Sequence, residues 1–360
     1  MNRFARYLAV LAATGLLAAA CGGGATTASP TPAARSAAPA TAPAAAPAAP
    51  AAPAKTYTLT QGFVTGLNHL PDELAPQYGS QFGLEIKTVY FNNVPDTVTA
   101  MGRGDIDLMI NTPSTVLSGL DRGLELVLIA GGYYRSTQII TSAKLGVNEG
   151  DWAKLKSAVD GGVSAGKKLR LGAAASLSAN WVECFYSMKQ HGIDVTASFT
   201  VVNIPAFSEQ PGAMQRGDVD LLCSPEPFGT LALASGGKFF AFPFDTPAGE
   251  TLGGLVVTKA ALANADKKEA IKRYIQSYDF AVKKVNSDKP FAVQTAMKIM
   301  KSNDQDLATK ALANTKFFTG FNLKEVQALA KMHFEQGQTN KDWSLDPKVW
   351  ADDQFVKDLK

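Results

Sequence analysis

One eight-residue segment occurs twice in this chain. Met101-Gly102-Arg103-Gly104-Asp105-Ile106-Asp107-Leu108 returns 113 positions later as Met214-Gln215-Arg216-Gly217-Asp218-Val219-Asp220-Leu221. An echo of this length implies two equivalent structural units. In each copy a helix should end near the glycine, a turn should carry Gly-Asp, and an apolar strand should follow, over residues 106–110 in one and 219–223 in the other. A helix is then expected to start at Asn111-Thr112-Pro113-Ser114-Thr115 and at Ser224-Pro225-Glu226-Pro227, because proline suits a first helical turn that follows a capping residue.

Further strand candidates lie at residues 57–60, 84–90, 126–130, 138–141, 169–172, 198–202 and 255–258, alternating with helical stretches such as 180–191 and 266–285. Strand-helix alternation with short turns predicts parallel α/β sheets. From Lys259 onward the chain reads as helical, with breaks at Gly320 and Pro347. The folded part, residues 56–360, is longer than one core usually holds, so two lobes are expected. The division places residues 56–142 and 251–360, with the C-terminal helices, in the first lobe and residues 143–250 in the second.

The N-terminus carries a different kind of information. Arg3 and Arg6 precede an apolar run that closes on small residues before Cys21. The run is too short to span a bilayer stably and reads as a signal peptide over residues 1–20. The small-residue box resembles a bacterial lipobox, which makes Cys21 the expected lipidation site; ordinary cleavage after an A-x-A pattern is the alternative. Residues 21–55 are rich in Ala and Pro, with seven prolines between Pro30 and Pro53. Such a stretch has too little apolar bulk to fold and is expected to act as a tether. Both readings place the protein outside the cytoplasm, and lipidation would hold it on the outer face of a cell membrane.

Without the signal peptide the chain has 33 basic and 32 acidic residues. With no basic stripe, nucleic acid is not an expected partner. Cys184 and Cys223 have no metal-site spacing; they either pair in an oxidising compartment or remain buried thiols. Three histidines, His69, His191 and His333, accompany no H-E-x-x-H and no G-x-S-x-G signature, so no catalytic residue, metal or cofactor is expected. Gly161 to Lys167 imitates a phosphate-binding loop, but Lys168 stands where Ser or Thr is required and the stretch precedes a strand.

In open α/β sheets ligands sit beyond the carboxyl ends of the strands. The loops there supply the candidate ligand-binding residues Phe63, Asn68, His69, Phe91, Asn92, Asn111, Thr112, Ser114, Arg135, Ser176, Ser178, Asn180, Trp181, Phe207, Glu226 and Phe228. Ser178 and Asn180 open a helix, where free N–H groups favour an acceptor. Arg135 either holds a carboxylate or sulfonate in a two-pronged contact or lies on the surface. Glu226 either meets a cationic or amide-like edge of the ligand or stabilises a helix N-terminus. The aromatic residues offer stacking faces, which favours a flat heterocycle such as a pyrimidine, with a sulfonate next.

Ala100 to Asp107, and Gly217-Asp218-Val219-Asp220 with Glu226-Pro227-Phe228 and Leu231-Ala232, resemble the solute-binding proteins for nitrate, taurine and alkanesulfonates, a group related to the thiamine-pyrimidine binding proteins. The resemblance covers residues 57–288. It implies a two-lobed type II periplasmic-binding-protein fold with venus-flytrap closure on a small-molecule ligand, and an ABC permease as the membrane partner of a monomer. The first loop, Gly62 to His69, departs from the family pattern, so the resemblance does not carry a substrate across. A sensor receptor and a pyrimidine-synthesis-like enzyme are the alternatives on the same fold.

Overall fold

The computed structural model describes residues 55–174, 178–243, 252–357 and 359. The expected signal peptide, most of the tether, Cys21 and Ser176 lie outside them. Eleven strands are found among the described residues: β1 (Tyr57–Val64), β2 (Leu84–Phe91), β3 (Leu108–Asn111), β4 (Leu126–Arg135), β5 (Thr137–Ser142), β6 (Leu169–Ala173), β7 (Phe199–Asn203), β8 (Leu221–Pro225), β9 (Gly237–Ala241), β10 (Leu252–Thr258) and β11 (Thr315–Phe317). The helices of the first part are α1 (Leu70–Tyr78), α2 (Val94–Arg103), α3 (Pro113–Asp121) and α4 (Trp152–Ser164). Next come α5 (Ala179–Gln190), α6 (Val195–Ser198), α7 (Gln210–Arg216) and α8 (Phe228–Ala234). The C-terminal set is α9 (Lys259–Ala263), α10 (Ala265–Ser287), α11 (Lys289–Met300), α12 (Gln305–Ala313) and α13 (Leu323–Glu335).

The strands form two sheets, ordered β11-β4-β10-β3-β1-β2 and β7-β6-β8-β5-β9. Each contains a parallel trio, β2-β1-β3 in the first and β7-β6-β8 in the second. The expectation of purely parallel sheets is corrected here. β10 runs antiparallel to β3 and β4, and β5 runs antiparallel to β8 and β9. These two strands are the ones that follow a passage from one sheet to the other, and a chain entering a sheet from its partner arrives in the opposite sense. Residues 137–142, placed with the first lobe by the sequence division, are hydrogen bonded in the second sheet as β5. The passage therefore falls at Arg135 and Ser136, whose φ values of 68° and 91° are left-handed. Non-glycine residues seldom adopt that region, and the strain sits at the passage itself.

The repeat explains why the two trios match. Gly104 and Gly217 end α2 and α7 in the left-handed region, at φ 78° and 73°. Asp107 Oδ2 then accepts the Thr60 N–H at 2.8 Å, while its own N–H donates to the Thr60 carbonyl at 2.8 Å. Asp220 makes the same pair of bonds to Arg170, each at 2.8 Å. Each aspartate thus fastens the turn to the neighbouring strand. Regular pairing starts after it, at Leu108 and Leu221, two residues later than the apolar pattern implied.

Helices cover both faces of the first sheet. β4 is buried along Leu126 to Tyr133, as a strand covered on two sides must be. α10 presents Ile271, Tyr274, Ile275, Tyr278, Val282 and Val285 to one face, at the three-and-four spacing of an apolar helix stripe. The opposite face packs on α2, α3 and α13 around Val116, Leu117, Val326 and Trp350. In the second half, Cys184 of α5 and Cys223 of β8 form a disulfide inside the core. The C-terminal region is mainly helical but contributes β11 to the edge of the first sheet, which its three residues were too short to signal.

Candidate ligand-binding site

The carboxyl ends of both parallel trios border one cavity of about 50 Å³. Of the candidate residues, Asn68, His69, Asn111, Thr112, Ser178, Asn180, Phe207, Glu226 and Phe228 line it. Val64, Thr65, Gly66, Val94, Thr115, Tyr133, Ser136, Thr137 and Pro225 complete the wall.

The first half supplies hydrogen-bonding groups held by short local contacts. Asn111 Oδ1 accepts the Thr112 N–H at 2.8 Å and the Thr115 hydroxyl at 2.7 Å. The carbonyl side of the amide is thereby used, and its Nδ2 donates to Met109 Sδ at 3.6 Å. Thr112 precedes α3 in extended conformation without a side-chain cap bond. His69 is edge-on to Phe63, and its Nδ1 lies 3.7 Å from Asp72 Oδ2. The other Asp72 oxygen accepts the Tyr274 hydroxyl. Tyr133, hydrogen bonded to Asn68, is held well above the usual phenol range by burial.

The second half contributes Ser178, whose Oγ accepts the Trp181 N–H at 3.3 Å as an N-cap, and Asn180, whose Nδ2 donates to Thr137 Oγ at 2.7 Å. Capping and cavity lining coincide at Ser178. Glu226 is fully buried. Its Oε1 accepts from Gln138, from Asn314 Nδ2 at 2.6 Å and from the Thr230 hydroxyl at 2.9 Å. Its Oε2 accepts the Thr230 N–H at 3.2 Å. The helix start expected at Pro225 to Pro227 moves to Phe228, with a cis Glu226–Pro227 bond before it. Glu226 reaches forward to the first turn of α8 while touching Gln138 of β5 and Asn314 before β11, so it joins residues from both halves. Burial raises its carboxyl to about 7 despite these donors.

Four candidates lie elsewhere. Phe63 is a core residue, packed between His69 and Tyr90. Ser114 turns away to bond His333 Nε2 of α13 at 2.8 Å, an imidazole that burial lowers to about 4. Trp181 lies against Phe185 at 3.9 Å and packs on the second-half core. Arg135 occupies the passage between sheets and does not border the cavity. Phe91 and Asn92 border a neighbouring, wider space together with Phe207 and Phe228, whose rings stack at 6.1 Å. Tyr133, Ser136 and Thr137 escaped the sequence reading because they flank the passage, which the pattern put several residues later. No Lys or Arg borders the cavity among the described residues, and no cluster of metal-ligating side chains is present among them.

Two sheets that share a central cavity and are linked by two chain passages define the periplasmic-binding-protein fold, and solved structures agree. A ligand-binding component of an ABC-type import system from Staphylococcus aureus, solved with zinc bound, superposes with a TM-score of 0.70 at 18% identity, covering 85% of this chain and 99% of that one. The alkanesulfonate-binding protein SsuA from Xanthomonas axonopodis pv. citri, bound to MOPS, gives 0.66 at 17% identity over 83% and 100% of the two chains. The periplasmic nitrate-binding protein NrtA from Synechocystis PCC 6803 gives 0.72 at 11% identity over 82% and 86%. A search of curated protein sequences found no significant match. The model of the NMT1-like family matches residues 51–246, more than half of the sequence, and the chain belongs to that family.

Proposed function

We propose that this is an extracytoplasmic solute-binding protein that closes its two halves on a small polar organic molecule and delivers it, as a monomer, to an ABC permease. The observation that carries the reading is the cavity itself, bordered by both halves and walled by amide, hydroxyl and imidazole groups beside the Phe207–Phe228 pair. Such a wall suits edge-directed hydrogen bonds to a flat heterocycle such as a pyrimidine. A sulfonate is the second choice, favoured by what SsuA binds. Cys21 would carry the lipid anchor, and a Cys21→Ser chain is expected to leave the membrane fraction. Mass spectrometry of small molecules released from the gently purified protein identifies the ligand. Its re-addition is expected to lower the radius of gyration in solution scattering and raise Tm. Saturating binding with an unchanged scattering profile would exclude closure.

A further inference from the structure

The cavity is one compartment of a longer cleft. A second space of about 130 Å³ shares Val94, Thr115, Ser178 and Phe207 with it. The chemistry of the wall changes across that boundary. Beyond it the lining becomes apolar, through Pro95 and Val98 of α2 on one side and Ala174 and Pro205 of the second half on the other.

Along this space lie Thr115 and Ser118 of α3 and Arg122, the residue that caps its C-terminus. Three- and four-residue steps put them on one helix face, and seven residues at 1.5 Å each span about 10 Å. The Arg122 guanidinium folds back onto Ser118, so its charge sits about one helical turn, roughly 5 Å along the axis, from the Thr115 hydroxyl that borders both compartments. Its guanidinium is oriented by its own helix, with Nε donating to the Ser118 carbonyl at 3.0 Å and Nη2 to Ser118 Oγ at 3.1 Å. Those bonds set the plane of the fork and leave Nη1 for an anion. Neighbouring Asp121 is engaged elsewhere, accepting from Asn340 N at 2.6 Å and Trp343 Nε1 at 2.8 Å.

Resting on the reading of this cleft as a solute site, we propose that the ligand is elongated: a polar head in the cavity, an apolar body between α2 and α3, and an acidic group at Arg122. A cavity wall without Lys or Arg and a charged ligand are then compatible, because the charge is met at the far end. The cation that serves the cleft is Arg122 and not Arg135.

The test is calorimetry on the full chain with pyrimidine as a head-only probe and with pyrimidines bearing propyl to hexyl arms that end in a carboxylate or a sulfonate. Affinity is expected to rise with arm length, and Arg122→Gln should weaken the armed probes about 10- to 100-fold while leaving the head-only probe unchanged. Carboxylate and sulfonate arms distinguish which acid is preferred. Pro95→Trp, at the exposed rim of the second space, should block the longer arms. Leu231→Trp, which fills the wider space on the other side of the cavity, should leave every probe unaffected. If the head-only probe binds as tightly as the armed ones, or Arg122→Gln changes nothing, the elongated ligand is wrong and the solute-binding reading survives. The same holds if Leu231→Trp blocks the arms and Pro95→Trp does not. If no probe binds and the purified protein releases no small molecule on denaturation, both fall together.

Discussion

The two copies of the Gly-Asp-x-Asp segment and the residues just beyond them show opposite behaviour. Within the copies, corresponding hydrogen bonds agree bond for bond: Asp105 donates to Ala100 and Asp218 to Ala213, both at 2.9 Å, and Asp107 and Asp220 fasten their turns with the same pair of contacts. Five residues later the correspondence ends. Pro113 opens α3 directly, whereas its counterpart Glu226 is a buried carboxylate ahead of a cis proline. The turn lies at the amino ends of the strands, away from the cavity, and any sound solution serves both halves. The carboxyl ends face the cavity, and there each half is specialised.

The largest expected effect tests that divergence. Glu226→Ala would strand the donors of Gln138, Asn314 and Thr230 in a buried site, costing about 3 kcal/mol or more at neutral pH, whereas Pro113→Ala should cost under about 1 kcal/mol. Chemical denaturation of both variants checks the ratio, and equal losses would break the contrast. The pH dependence sharpens it. With its folded value raised from 4.5 to about 7, Glu226 holds its proton more tightly in the folded state. Its contribution to stability is full below pH 4.5 and declines as pH rises through 7, by about 3 kcal/mol at ~1.4 kcal/mol per unit. Melting curves from pH 4 to 8 should show this fall in the wild type and lose it in Glu226→Gln.

Smaller effects test the equivalence of the copies. Asp107→Ala and Asp220→Ala should each cost about 1–3 kcal/mol, since each removes a backbone contact and a cation contact, to Lys267 and Arg170 respectively. Gly104→Ala and Gly217→Ala should each cost about 1 kcal/mol, because both are left-handed and an added Cβ has nothing within 3.4 Å at either. Urea titration of the four variants would deny the equivalence if either pair differed internally by more than about 1 kcal/mol.

Much of the cleft could be read in advance because strand ends announce themselves. Asn111, Thr112, Ser178, Asn180 and Glu226 stand where apolar runs stop, and all border the cavity. Ser114 could not be resolved that way, because its neighbour Thr115 shares the same helical turn and only the His333 contact, 219 residues away, decides which hydroxyl turns inward. Glu226 was read as either a ligand contact or a helix stabiliser; its donors show the second role, and its place in the wall keeps the first open.

The sequence by itself determined the two matching units, the strand-helix order and the end of each sheet that carries the cleft, since periodicity, glycine turns and proline starts act over a few residues. Tertiary structure decided the antiparallel arrivals of β5 and β10, the passage at Arg135 and Ser136, and the pairing of Cys184 with Cys223. It also placed Arg122, and not Arg135, on the lining of the space beside the cavity. Each depends on which distant segment lies alongside, and burial and partner distance are set by packing that no local pattern encodes.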